Sequence, residues 1–258
     1  MEANDYAIEV RDLDMAYGDF VIQRDLNFEI RRGEVFIIMG DSGSGKSSLL
    51  RRLIGLQAPA KGKVLYGELS FWDARPEQRQ ALSRRFGVLY QSGALWSSMT
   101  LAENIAMPLR EYTSYSESDI EELVALKLSL VGLAGFEDFY PSEISGGMQK
   151  RAGLARAMSL DPDILFFDEP SAGLDPISSM RLDELILELK ESLGATVVVV
   201  THELASIFAI ADNAIFVDAE AKTQTAVGNP HELRRDPPNA KVGEFLRRGV
   251  GTESTEEA

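Results

Sequence analysis

GEVFIIMGDSGSGKSSLL, residues 33–50, decides the fold. Val35–Met39 is a continuous apolar run of strand length without alternation, the pattern of a strand buried on both faces of a parallel sheet. Gly40, Gly45, Lys46 and Ser47 then fit G-x-x-x-x-G-K-[ST], and KSSLLRRLIGL reads as a helix. Strand, glycine-rich loop and helix together are the context in which such a loop cradles phosphate. The loop residues Gly40, Asp41, Ser42, Gly43, Ser44 and Gly45 can curl so that successive N–H groups converge on phosphate oxygens, with Lys46, Ser47 and Ser48 opening the helix. The helix points its positive end at the same place. Lys46 suits the β- and γ-phosphates as a point charge, and the Ser47 hydroxyl suits Mg²⁺.

Working outward, two more apolar runs end on polar residues: ILFFDEP, residues 164–170, and ATVVVVTHE, residues 195–203. With NAIFVDA at 213–219 and helices between them, they indicate a parallel α/β sheet whose ligands lie at the carboxyl ends of its strands. That edge would hold Asp168 on Mg²⁺, Glu169 polarising the water that attacks a γ-phosphate, and His202 on the γ-phosphate or the water. Gln91, in VLYQSGALW, falls between the sheet and a helical stretch at about 99–160; its amide can reach Mg²⁺ or the attacking water, or it is an ordinary loop residue. Tyr17 ends the first strand region, as an adenine-stacking face or as a core or rim tyrosine. His231, in the loop-like GNPHELRR, reads as a surface or capping residue.

The N-terminal segments AIEVRDLDMAYG and FVIQRDLNFEI read as two strands joined by a turn at Gly18-Asp19, and GKVLYGELSFWD returns to strands. In SESDIEELVALKLSLVGL, Ser118 and Glu121 fit a capping box. The acidic tail at 247–258 is expected to be disordered.

Composition removes several chemistries. The 258-residue chain has no cysteine, which excludes disulfides and thiolate sites, and its two histidines argue against a histidine metal centre. A net charge of −15 argues against a nucleic-acid partner. No apolar run is long enough to span a bilayer, and the N-terminus lacks the pattern of a signal peptide.

ISGGMQ (144–149) and SAGLD (171–175) complete the series with the phosphate loop, Gln91, ILFFDE and TH. In the chain order phosphate loop, Gln91, ISGGMQ, ILFFDE, SAGLD and TH, the set resembles the nucleotide-binding domains of ATP-binding cassette (ABC) proteins over about 6–246. The resemblance implies a P-loop NTPase of RecA-like α/β fold. Its parallel core would span about 1–92 and 160–246, with an N-terminal antiparallel β region and a helical insertion at about 93–159. It implies ATP and Mg²⁺ as ligands and ATP hydrolysis as the activity. Ser145, Gly146 and Gly147 correspond to the signature motif that closes over the ATP held by a second copy, and Asp175 to the loop facing that copy. Met148 stands where the common form LSGGQ has a glutamine.

QSGALW closely resembles the QSGALF of the Mla- and Mce-type lipid transport subgroup of bacterial envelopes. By that resemblance the chain is an ATP-dependent homodimer, peripheral on the cytoplasmic face of the inner membrane. It would drive an integral permease beside a small regulatory subunit and a lipid-carrier protein. A groove near Gln91, lined by Ala94, Leu95 and Trp96, would receive the permease; Leu95 and Trp96 equally suit local packing. The alternative is a soluble ABC ATPase of an assembly machine, such as iron–sulfur cluster assembly. Chromosome and repair ATPases need longer coiled-coil arms, and a P-loop kinase has no use for ISGGMQ.

Overall fold

β1 (Tyr6–Tyr17) and β2 (Phe20–Arg31) form an antiparallel hairpin closed at Gly18-Asp19, as the sequence suggests. The structure, a computed structural model, describes residues 5–248, so all but the first two residues of the acidic tail lie outside the described residues. The hairpin continues into β4 (Lys61–Tyr66) and β5 (Leu69–Ser70), in the order β2-β1-β4-β5. Strand structure stops at Ser70, and Phe71–Asp73 form a turn rather than the longer strand expected there.

β3 (Val35–Met39) is the buried strand read from the apolar run, and α1 (Lys46–Leu53) follows the phosphate loop. The main sheet adds β6 (Phe86–Leu89), β7 (Ile164–Asp168), β8 (Thr196–Val200), β9 (Asn213–Asp218) and β10 (Thr223–Gly228), in the order β10-β9-β3-β8-β7-β6. All its pairs are parallel except β10 with β9. Alternate residues of β3 serve opposite cores. Val35, Ile37 and Met39 join the layer that includes the insertion's helices, while Phe36 and Ile38 join α1 and the hairpin, where Phe28 stacks on Phe36 with centroids 5.5 Å apart.

Between β6 and β7 lie α3 (Leu101–Tyr112), α4 (Glu117–Leu130), a short 3₁₀ turn and α5 (Gly146–Ala157). α4 starts two residues earlier than Ser118 implies: the capping box is Ser116 with Asp119, whose carboxylate accepts from the Ser116 N–H at 3.0 Å. The Ser118 reading fails because both pairs have the same spacing, and only Ser116 has the extended backbone of a cap. α2 (Pro76–Ser83) precedes β6. α6 (Pro176–Leu193), α7 (Leu204–Ile210), α8 (Pro230–Arg235) and α9 (Ala240–Arg247) complete the described chain. GNPHELRR is therefore a helix and not a loop: Asn229 caps it, accepting from the His231 N–H at 2.9 Å. His231 packs on Phe208, a bland role in keeping with its sequence reading. No helix among the described residues is long and apolar enough to cross a membrane.

One buried carboxyl strains this packing. Asp183 of α6 accepts a hydrogen bond from the Ser206 hydroxyl of α7 at 2.7 Å, and desolvation pushes its pKa up to about 6. The folded state therefore holds the proton more tightly than the unfolded chain. This group's destabilisation is absent below the unfolded carboxyl pKa near ~4 and complete above the folded one. Asp183→Asn keeps an acceptor for Ser206 without the buried charge. Thermal unfolding should show the variant a few degrees more stable than wild type at pH 8, with the gap closing as pH falls through 6 toward 4.

Candidate functional site

The phosphate loop leaves β3 at Gly40 because nothing larger fits there. A Cβ on Gly40 would lie 2.3 Å from the Val217 carbonyl oxygen of β9, and its φ of 147° disfavours any side chain. Gln23, fully buried on β2, braces the loop: its amide donates to the Ser44 carbonyl at 2.8 Å and the Asp218 carbonyl at 2.9 Å. The Lys46 ammonium donates to the carbonyls of Gly40 (2.9 Å) and Asp41 (3.0 Å), so it sits inside the curl of the loop. Burial pushes its pKa down, opposed by Glu169, Asp41 and Asp168.

The loop forms one wall of a cavity of about 780 Å³. The expected Tyr17, Gly40, Asp41, Ser42, Gly43, Gly45, Lys46, Ser47, Ser48, Gln91, Glu169 and His202 all line it. Ser44 lies beneath, buried, and Asp168 sits behind the wall, its carboxylate accepting from the Ser47 hydroxyl at 2.9 Å. Ser47 and Asp168 thus present two adjacent hard oxygens, with the Gln91 amide on the same cavity. Among the described residues no three acidic or histidine side chains form a metal cluster. That donor set fits Mg²⁺, which keeps much of its shell for water and phosphate oxygens.

Glu169 follows Asp168 with φ at +50°, a left-handed conformation rare for glutamate, and its N–H donates to the Val200 carbonyl at 2.8 Å. Its Oε1 lies 2.9 Å from His202 Nδ1, while its Oε2 is buried with no hydrogen-bond partner. Nδ1 must carry the proton to donate to that carboxylate. The pair leaves one carboxylate oxygen without a partner beside the cavity that Glu169 lines. Tyr17 is 47% exposed, so it is not a core residue; its hydroxyl donates to Gln57 at 2.9 Å and its ring lies 5.6 Å from the Arg52 guanidinium.

Ser145, Gly146, Gly147 and Asp175 do not line this cavity. Ser145 caps α5, accepting from the Met148 N–H at 3.3 Å, and a Cβ on Gly146 would meet nothing within 4 Å. Met148 packs against the apolar cluster of the insertion. Asp175 caps α6 through the N–H groups of Ile177 (3.1 Å) and Ser178 (3.0 Å), and the Ser178 hydroxyl holds its carboxyl below the usual range. α5 is tied to the Gln91 loop: Lys150 donates to the Gln91 carbonyl and Arg156 to the Ala94 carbonyl. A Cβ on Gly153 of α5 would lie 2.9 Å from the Gly93 carbonyl oxygen, so helix and loop touch backbone to backbone.

Sequence reading missed Gln23 and the far cavity wall of Phe20, Ile22, Leu204, Phe245 and Arg248. Phe20 and Ile22 look like ordinary strand residues, and Phe245 and Arg248 reach the site only through tertiary folding. A cavity at the border of sheet and insertion, about 290 Å³, is lined by Arg84, Tyr90, Pro108, Tyr112 and Arg156 among others; Ala94, Leu95 and Trp96 stand outside it. Leu95 packs on the insertion's core, and Trp96 is held through its backbone by Asn104 while its ring stays exposed.

Residues 23–172 match the ABC transporter family. The chain belongs to that family. Its members are ATPases, and the fold found here is theirs. A dimeric ATP-binding cassette in a post-hydrolysis state, bound to ADP and Pi, superposes with a TM-score of 0.78 at 26% identity, over 86% of this chain and 98% of its own. The probable ribonucleotide transport ATP-binding protein mkl of Mycobacterium leprae is 44% identical over 80% of this chain, which spans 60% of that relative's length. The intermembrane phospholipid transport system ATP-binding protein MlaF of Haemophilus influenzae is 39% identical over 95% of this chain and 91% of its own.

Removing the ammonium from the curl should leave the loop unable to hold a triphosphate. Lys46→Ala is expected to lose measurable ATP–Mg²⁺ binding in an equilibrium titration while its thermal unfolding stays cooperative.

Proposed function

We propose that the chain is the ATP-binding and hydrolysing subunit of an envelope transporter, working as a homodimer against a membrane permease that carries phospholipid. The observation that carries this reading is the separation of two half-sites on one chain. The phosphate loop, Gln91, Glu169 and His202 share a cavity, whereas Ser145–Gly147 and Asp175 stand outside it. A second copy facing head to tail supplies the missing half, since exposed N–H groups at the start of α5 attract an anion.

Within each composite site the Glu169 Oε2 accepts the proton of water as its oxygen attacks the γ-phosphorus. The bond from that phosphorus to the bridging oxygen breaks, and ADP takes the electron pair. His202 holds Glu169 in place through Oε1. Mg²⁺, held by Ser47 and Asp168 with Gln91 at hand, supplies neutralisation of the phosphate charge. Tyr17 offers its exposed face to the adenine. Loss of the γ-phosphate removes the anion shared by two positive helix ends, and the dimer opens.

The Arg84–Tyr112 cavity is the seat proposed for the permease, since it borders both sheet and insertion and its Arg156 also grips the Gln91 loop. Docked there, the subunit lies on the cytoplasmic face of the inner membrane. A small regulatory subunit and a lipid-carrier protein belong to the same proposal. Near-complete mutual coverage with MlaF and the QSGALW loop support phospholipid as cargo. The higher identity to mkl over a shorter span supports a second reading, a ribonucleotide cargo. Mass spectrometry of the purified membrane complex separates them: co-purified phospholipid is expected, and ribonucleotide at stoichiometric level without phospholipid would carry the second reading.

Glu169→Gln should bind ATP but release phosphate slower by roughly 10²–10⁴, the worth of a general base; near-normal turnover would place the base elsewhere. His202→Ala should slow release as well. The shared site has its own check. Gly146→Asp and Lys46→Ala proteins, each inactive alone, should recover part of the ATPase rate on mixing, because a mixed dimer gathers both faults in one site. A crosslink placing Ser145 beside Lys46 of its own chain would refute the two-chain arrangement.

A further inference from the structure

The wall opposite the phosphate loop comes from the end of the described chain. Arg248 follows α9, whose Val242, Phe245 and Leu246 are buried. Phe245 packs edge-on against Phe216 of β9 with centroids 5.1 Å apart, and Phe216 pairs with Met39 at the end of β3. The Arg248 guanidinium lies over the Phe245 ring at 5.4 Å and donates to the Asp41 carboxylate at 3.0 Å. A residue 207 positions away in sequence thus reaches the first side chain of the phosphate loop.

The charges explain what the contact can do. The cavity must accept a polyphosphate, yet the chain carries −15 and the cavity is lined by Asp41 and Glu169, with Asp168 close behind. Lys46 and Arg248 are the two lysine or arginine side chains among the described lining residues. Lys46 is committed to the inside of the loop, and Arg248 is the ion-pair partner of Asp41. Asp41 is the loop residue whose carboxylate an incoming anion would otherwise meet unopposed.

We propose that Arg248 is a positioning residue of the nucleotide site: pairing with Asp41 cancels a negative charge at the rim of the phosphate loop and makes the C-terminal helix a wall of the triphosphate site. The inference rests on the ATP site proposed above. Arg248 acts through Asp41 and not on the phosphates, which separates it from Lys46. The pair is partly exposed, so neutralising Arg248 has a modest effect and reversing its charge a larger one.

The test is equilibrium titration of the full chain with ATP and Mg²⁺ at low ionic strength. Arg248→Ala should weaken binding by about 2- to 5-fold, the range of exposed ion pairs. Arg248→Glu should weaken it further, and Arg248→Lys should stay near wild type. Adding Asp41→Asn to Arg248→Ala should restore near wild-type affinity, because it removes the charge left uncancelled. The ratio of variant to wild-type Kd should fall toward one at about 1 M salt, where charges are screened over roughly 3 Å. Wild-type affinity in Arg248→Glu would overturn the proposal. So would a double Asp41→Asn, Arg248→Ala protein that binds as weakly as Arg248→Ala, which means that the loss does not come from the Asp41 charge, or a loss indifferent to salt, which means a purely structural role. Failure of the wild-type chain itself to bind ATP, or wild-type binding by Lys46→Ala, would instead refute the nucleotide reading.

Discussion

Val200 of β8 pairs with Ile38 of β3 on one side and Asp168 of β7 on the other, and the site depends on this register. Parallel strands held level in this way finish together, so the segments that leave them emerge along one edge. The loop from β3, the two carboxylates from β7 and the histidine from β8 could not otherwise meet, because they lie far apart in sequence. The register rests on apolar side chains packed on both faces, which is why these strands read as unbroken hydrophobic runs. A strand shifted by one residue would exchange its two faces and take its terminal polar residue off the edge.

That dependence also explains what was legible in the sequence. β3, β7, β8 and β9 announce themselves because double burial leaves no room for polar alternation. The loop is legible from its glycine spacing after such a run, and the strand-end acids from the polar residues on which these runs stop. β6 and β10 escaped notice: β6 is four residues with a glycine, and β10 is rich in threonine and glutamine on an edge. The capping box in α4 was misplaced because SESD and SDIE offer the same spacing, and only backbone geometry chooses between them. The far wall of the cavity was illegible for a different reason. Phe245 and Arg248 carry no motif, and their relation to the loop is made by the packing of α9 on β9.

The two half-sites on the chain are mechanically joined although they do not touch. Ser145 opens the same helix from which Lys150 and Arg156 reach the carbonyls of Gln91 and Ala94. Lys150 is buried, which lowers its pKa, and its ammonium finds a carbonyl where an unpaired charge would be costly. In the two-chain arrangement proposed above, these bonds would couple the Gln91 loop at one nucleotide to the helix start that faces the other.

The contact of Gly153 with Gly93 has a consequence for modular exchange. A side chain added at Gly153 would press on the Gly93 backbone, which cannot swing aside as a side chain can, so helix and loop have to match each other. Recombination between relatives can divide the chain before Gln91 or after Arg156 and leave that seam intact. A crossover inside those limits would join a loop and a helix shaped for different neighbours. The exposed face of α4 makes no such backbone contact, so substitutions there leave the seam untouched.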